Sequence, residues 1–225
     1  MNPAEYEAMY RLEDGLWWYS GMRRITAAAL GGRLSGAAGP LRILDAGCGT
    51  GGNLAWLAGS SGGGPGAGPD RRSRGVTGAP GSSAARGRGG GRGAGQQTGA
   101  PDGWPAWGVD LSPLATAYCR RRGLTRVSRA SVLELPFAEG TFDLGTSFDV
   151  IYHLGVADDV AALREMRRVL RPGGALFVRV PALEALQSHH DVAVHTRQRY
   201  TARELRRKAG AAGLRVERAS YANSV

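Results

Sequence analysis

Along this chain the apolar positions repeat in two different periods, and the switches between them lay out its elements. From Pro3 to about Glu13, Tyr6, Met9 and Tyr10 share one face of a 3.6-residue repeat, which predicts a helix. Asn2 as N-cap, Pro3 at the first helical position and Glu5 at the third mark its start. A second helix is predicted over the latter half of "LWWYSGMRRITAAAL", ending near Leu34. "LRILDAG" is an apolar run of strand length that stops at glycines, and a short helix, "NLAWLAG", follows it. "AWGVDLS" reads as a second strand, Ser112-Pro113 caps a helix to about Arg122, and "LTRVSRASV" is a third strand. A fourth lies within "FDLGTSFDVIYHL". In "DDVAALREMRRVL" the helical period returns, with Val160, Leu163, Val169 and Leu170 inward and the arginines outward, and Pro172-Gly173-Gly174 predicts its end. A fifth strand, "ALFVRVPA", a helix opened by the capping box Thr201 to Glu204, and a sixth strand, "LRVERASYA", complete the series.

Strands alternating with helices from residue 41 onward predict an α/β fold with a doubly wound, mostly parallel sheet, because parallel neighbours need a crossover. Ligands of such sheets bind at the carboxyl ends of the strands, at the switch point. The organisation expected is an N-terminal helical lid over 1–40 and the α/β domain over 41–225.

One stretch follows neither period. Residues 59–106 hold 17 of the 36 glycines and six arginines against two aspartates, so the segment supplies +4 of the net charge of +10. With almost nothing to bury, it is expected to be a disordered insertion, tolerated because loop closure costs rise slowly with length. Arg/Gly tracts also bind RNA, so the basic charge leaves a nucleic-acid partner open. The chain has two cysteines, Cys48 and Cys119, which imply no disulfide framework and fit a reduced, cytoplasmic setting. Neither an apolar leader nor an apolar run of membrane-spanning length is visible.

The candidate chemistry begins at "LDAGCGTGGN". Gly47, Gly49 and Gly52 satisfy G-x-G-x-x-G, a pattern that by itself suggests a dinucleotide. Asp45 argues otherwise, because a carboxylate two residues before the first glycine would repel a pyrophosphate and suits a ligand bearing an ammonium or sulfonium. Asp110, ending the second strand, has the position from which a carboxylate accepts both hydroxyls of a ribose.

Taken in order, "LDAGCGTGGN", "GVDLS", "LPFAEGTFD" and "LREMRRVLRPGG" resemble the class I S-adenosylmethionine-dependent methyltransferases of the type 11 kind, over residues 41–180 apart from the insertion. The resemblance implies a Rossmann-like methyltransferase fold with S-adenosylmethionine as cofactor. It implies that Asp45, Gly47, Gly49 and Gly51 lie at the methionine end of the cofactor, the glycines letting the backbone approach it. Asp110 would hold the ribose, Leu111 and Val132 would border the adenine, and Phe148 would line the pocket beneath the methionine portion. Where the family often has an aspartate for the adenine amino group, this chain has Ser131, a shorter and uncharged acceptor. Such a sheet also carries a last antiparallel strand, for which Asn223, Ser224 and Val225, the residues after "LRVERASYA", are too few. The chain is therefore expected to be truncated relative to a complete domain, and more prone to associate through an open edge.

Methyl transfer from a sulfonium draws its rate from alignment and exclusion of water, and needs a base only for an acceptor that holds its proton tightly. His153, after the fourth strand, and His190, Asp191 and His195, in "SHHDVAVHTRQRYT", all lie at the carboxyl edge and are the candidate catalytic residues. No metal is expected. "WWYSGMRR" together with that segment resembles a branch of these enzymes, and Trp17, Trp18 and Tyr19 read either as a lid over the cofactor or as core packing. The leading expectation is methyl transfer to a small-molecule acceptor. Two alternatives stay open: a nucleic-acid or protein methyltransferase, and a cofactor-binding fragment without turnover.

Overall fold

The structure is a computed structural model, describing residues 2–59, 103–186 and 195–222. Two helices, α1 (Pro3–Leu12) and α2 (Trp17–Ser35), precede a five-stranded sheet. The strands are β1 (Ile43–Ala46), β2 (Ala106–Asp110), β3 (Val127–Arg129), β4 (Phe142–Phe148) and β5 (Leu170–Arg179). Between and after them lie α3 (Gly52–Ala58), α4 (Pro113–Arg121), α5 (Asp159–Val169) and α6 (Ala202–Ala211). All pairings are parallel and the strand order is β3-β2-β1-β4-β5, so the chain reverses its winding between β1 and β4. This is the doubly wound α/β class, and its crevice opens at the carboxyl ends of those two strands.

Alternation along the strands divides the core into two layers. Leu44, Val109, Phe142 and Ile151 meet Leu163, Met166 and Val169 of α5 on one side. Ile43, Leu144 and Phe148 meet Leu30 and Leu34 of α2, Leu54 and Leu57 of α3, and Cys119 of α4 on the other. Phe142 and Leu144 are two residues apart yet serve opposite layers. The β4–β5 register shifts between them, and such an irregularity re-aims the side chains that follow.

Several boundaries differ from the sequence expectation. Helix α2 takes in Trp17 and Trp18 rather than starting after them. Ala106 opens β2 and Trp104 packs on the core, so the inserted segment ends before these residues, and positions 60–102 lie outside the described residues. Helix α5 stops at Val169, ahead of the Pro-Gly-Gly sequence, because a residue preceding proline disfavours helical dihedrals and Arg171 precedes Pro172. The sixth strand is not formed: Leu214–Ala222 contains no strand. Its apolar residues are too few among Arg215, Glu217 and Arg218 to cover a sheet face. It is held instead by polar ties, Arg33 to Glu217 at 2.8 Å and the Ala202 N–H to the Tyr221 hydroxyl at 3.0 Å. On the described residues β5 is left as an edge strand.

One buried carboxylate ties the last third of the chain to α5. Asp159, 4% exposed, accepts from the Tyr200 hydroxyl at 2.8 Å and Gln198 Nε2 at 2.6 Å, and pairs with Lys208 of α6. This fixes the 197–200 segment against the body of the domain. Replacing Asp159 by alanine would leave the Lys208 ammonium without its carboxylate and the Tyr200 hydroxyl with only the Ile151 carbonyl, at 3.3 Å. The expected loss is about 3 kcal/mol of unfolding free energy in urea titration. A loss under about 1 kcal/mol would show that water replaces the carboxylate.

Candidate functional site

All four residues of β1 are buried, and the strand delivers Asp45 to the switch point. Asp45 is in register with Thr146 of β4, whose hydroxyl donates to Oδ1 at 2.9 Å. The other oxygen, Oδ2, is buried without a hydrogen-bond partner. Burial pushes the Asp45 carboxyl up to about 7, against the pull of the Thr146 hydroxyl and the Arg179 charge. A buried acceptor left open in this way is costly unless something fills it.

After Ala46 the chain turns sharply. The N–H groups of Gly47 and Cys48 both donate to the Val109 carbonyl, at 2.8 and 2.9 Å. Gly47 has φ +89°, and a Cβ there would lie 2.2 Å from Val150 Cγ2. A Cβ on Gly51, φ +88°, would meet Leu124 at 2.7 Å and the Cys119 sulfur at 2.9 Å. These glycines therefore also serve the packing of the protein itself. At 47 and 51 they make room for the protein's own side chains, in dihedrals that L-residues rarely adopt. At Gly49 the nearest atom is the flexible end of Met9, at 3.1 Å.

Asp110 closes the other side of the loop. Its Oδ2 accepts from the Gly49 N–H at 3.0 Å and its Oδ1 from the Ser112 N–H at 2.9 Å. Burial pushes its carboxyl up, and these two donors pull it back. Each oxygen has a second lone pair beyond these bonds, and Asp110 borders the adjoining cleft.

A cleft of about 2170 Å³ runs from this loop along β5. Asp45, Gly47, Gly49, Asp110, Leu111 and Ser131 border it, as do Val132, Phe148, His153 and His195. Gly51 lies behind it, against α4. Ser131 accepts from the Leu133 N–H at 3.1 Å, so its hydroxyl is engaged in the local turn. His190 and Asp191 lie outside the described residues. His153 and His195 meet at one rim because residues 195–197 run antiparallel to 152–154. The Leu154 N–H donates to the His195 carbonyl at 3.0 Å and the Arg197 N–H to the Tyr152 carbonyl at 2.8 Å. Beside them Asp149, at φ +58°, pairs with Arg179, whose guanidinium lies 5.1 Å from the Phe148 ring centre and 5.5 Å from that of Trp18.

The sequence reading placed Tyr6, Met9 and Tyr10 on one helix face but did not single out Glu13 or Arg122, which fasten that helix to the loop. Tyr6 and Met9 of α1 border the cleft. Glu13, 4% exposed, caps α1 at its C-terminus and accepts from the Thr50 hydroxyl. Arg122, at the end of α4, reaches Glu13 and Asp14 at 2.7 Å each, the Thr50 carbonyl at 2.9 Å and the Tyr10 carbonyl at 3.2 Å. One guanidinium thus binds α1, the glycine loop and α4 together. The only sequence signal was helical spacing, Tyr118 and Arg122 being four apart and both facing Tyr10.

Comparison with known proteins bears on the fold and the domain. Residues 87–178 match the family described as "Methyltransferase domain". A probable S-adenosylmethionine-dependent methyltransferase of Mycobacterium tuberculosis is 34% identical over 94 residues, covering 40% of this chain and 34% of that protein. A tRNA (carboxymethyluridine(34)-5-O)-methyltransferase of Xenopus tropicalis is 37% identical over 78 residues, covering 34% of this chain and 12% of its own length. The chain spans about a third or less of the curated relatives it matches. Among solved structures, a methyltransferase from Aquifex aeolicus described as dependent on S-adenosylmethionine superposes with TM-score 0.56 at 16% identity, over 97% of this chain and 91% of that one. That likeness shows the fold.

The open carboxylate has a consequence for stability. Asp45 holds its proton more tightly folded than unfolded, so its contribution favours folding at low pH. That contribution declines above its ordinary value of 3.8 and is lost as pH rises through about 7. Urea titrations of the ligand-free chain should show stability falling across this window by a few kcal/mol more than in Asp45→Asn, at about 1.4 kcal/mol for each tenfold fall in proton concentration. Parallel profiles for the two proteins would show that Asp45 ionises without cost.

Proposed function

The chain carries a class I S-adenosylmethionine-dependent methyltransferase domain, and on that premise we propose that it transfers the cofactor's methyl group to a small-molecule acceptor by in-line displacement. The observation that carries this reading is the Asp45 Oδ2 atom, buried and unpartnered at the switch point of the sheet. An anionic acceptor in that position matches the ammonium of an amino-acid group and repels a phosphate. When bound, S-adenosylmethionine supplies a sulfonium methyl that is already electrophilic.

The protein's own residues then have assigned tasks. Asp45 accepts from the ammonium, and Asp110 accepts from the ribose hydroxyls with the lone pairs its backbone donors leave free. Leu111 and Val132 border the adenine, Ser131 lies at its edge, and Phe148 walls the methionine portion. Gly47 and Gly49 carry the loop past the ligand, with Gly51 setting the turn behind them. Residues 1–40 act as a helical lid: Tyr6 and Met9 cover the loop, and Arg122 latches α1 in place, which excludes water from the reacting groups. His153 and His195 stand on the acceptor side, where either ring receives a proton if the acceptor must lose one. His190 and Asp191 belong to the segment that would complete that side.

A second reading rests on the net charge of +10 and on the tRNA-directed relative, and assigns a nucleic-acid acceptor. A salt series separates the two, since phosphate contacts give affinity that falls steeply with ionic strength. The leading reading predicts S-adenosylhomocysteine binding by calorimetry, weakened about ten-fold or more in Asp110→Ala as a charged hydrogen bond is lost. His153→Ala and His195→Ala should leave that affinity unchanged while lowering turnover. Affinity that ignores Asp110 would remove the ribose assignment.

A further inference from the structure

The two cysteines stand 71 positions apart in sequence, and the fold brings their sulfurs to 3.8 Å. We propose that Cys48 and Cys119 are a redox-sensitive pair, which peroxide joins as a disulfide that deforms the glycine loop and weakens cofactor binding. The bond itself stands on the geometry of the two thiols, and its effect on the cofactor rests on the methyl-transfer reading above.

Cys48 lies within the loop, between Gly47 and Gly49, and Cys119 lies near the end of α4. Cys119, 0% exposed, donates to the Gly49 carbonyl at 3.2 Å. With that proton engaged, the Cys48 thiol is the donor between the two sulfurs. Two glycines keep the space around the pair clear. A Cβ on Gly108 would stand 2.8 Å from the Cys48 sulfur, and one on Gly51 would stand 2.9 Å from the Cys119 sulfur. Cys48 borders the cleft and is 6% exposed, so a small oxidant arriving there reaches its sulfur first. The hydrogen bond to Cys119 and burial push the Cys48 thiol up, so little thiolate forms and oxidation is slow. The pair therefore stays reduced through a brief exposure and responds to a sustained one.

The chemistry takes two steps. The Cys48 sulfur attacks one oxygen of hydrogen peroxide, the O–O bond breaks, and a sulfenic acid and water result. The Cys119 sulfur then displaces the hydroxyl from the sulfenic sulfur, the S–S bond forms, and a second water leaves. The two thiols give up two electrons and their protons, and the peroxide takes up both. A disulfide needs its sulfurs at about 2.0 Å, so one side must move. Cys119 is held in a helix capped by Ser112 and packed through Ala115 and Thr116, whereas Cys48 is in a turn. The loop is thus the side that yields. The Cys119 donation to Gly49 is lost with its proton, and the Gly49 N–H is itself the donor to Asp110 at 3.0 Å. Distortion therefore enters the segment between Asp45 and Asp110.

The test treats the full chain with excess hydrogen peroxide. Free thiols are counted by alkylation and mass spectrometry, and S-adenosylhomocysteine binding is measured by calorimetry before and after. Both thiols should disappear with a mass lower by two hydrogens, affinity should fall about ten-fold or more, and dithiothreitol should restore both. In Cys119→Ala, where Cys48 has no partner, no dithiothreitol-reversible loss of affinity should appear, and such a loss would overturn the proposal. Thiols that stay free, or oxygen added to Cys48 without a crosslink, would overturn it too. A disulfide that leaves affinity unchanged would do the same, with the methyl-transfer reading intact. Reduced protein that binds no S-adenosylhomocysteine would overturn that reading and the effect on the cofactor with it, while the thiol count still decides the bond.

Discussion

A carboxylate buried at the end of the central strand, with one oxygen satisfied and the other open, sets the terms for this molecule. Asp45 sits where the sheet reverses its winding, in register with Thr146 across the β1–β4 pair. Burial alone would favour its neutral form, as the raised carboxyl shows. The Thr146 hydroxyl and the Arg179 charge oppose that preference. Backbone N–H groups of the loop point away, to the Val109 carbonyl and the Asp110 carboxylate. The fold therefore keeps a buried, unpartnered acceptor oxygen at its switch point.

The loop that presents this carboxylate is shaped from behind by protein atoms. Val150, Leu124 and Cys119 fill the spaces left by Gly47 and Gly51, so the tight turn is a packing solution that also exposes the backbone beyond it. Arg122 then fastens α1 across the front through Glu13, Asp14, Thr50 and Tyr10. Glu13 and Arg122 are both largely buried, so removing either partner would strand a charge. Helix α1 and the glycine loop are thus held together by one set of bonds.

Much of this was legible in the sequence, for reasons that can be named. The period of the apolar residues located β1, β2, β4, α5 and α6 because each buries one face against the core, and the capping box at Thr201 formed as its residues suggested. Asp45 and Asp110 stood out because carboxylates beside a glycine turn are chemically conspicuous. The sixth strand failed because "LRVERASYA" has alternation without enough apolar area to act on it. Arg122 could not be chosen from a chain with so many arginines. It acts through a partner distant in sequence, Glu13. Pairing between 152–154 and 195–197 was equally hidden, since it is a few backbone hydrogen bonds between irregular segments.

The central claim is that the open oxygen of Asp45 is where the cofactor's ammonium binds. A crystal structure of the chain with S-adenosylhomocysteine tests it most directly. The account predicts the ligand's amino nitrogen within hydrogen-bond distance of Asp45 Oδ2 and its ribose hydroxyls on Asp110, with α1 closed over both. A ligand lying elsewhere in the cleft, with Oδ2 still unpartnered, would contradict it.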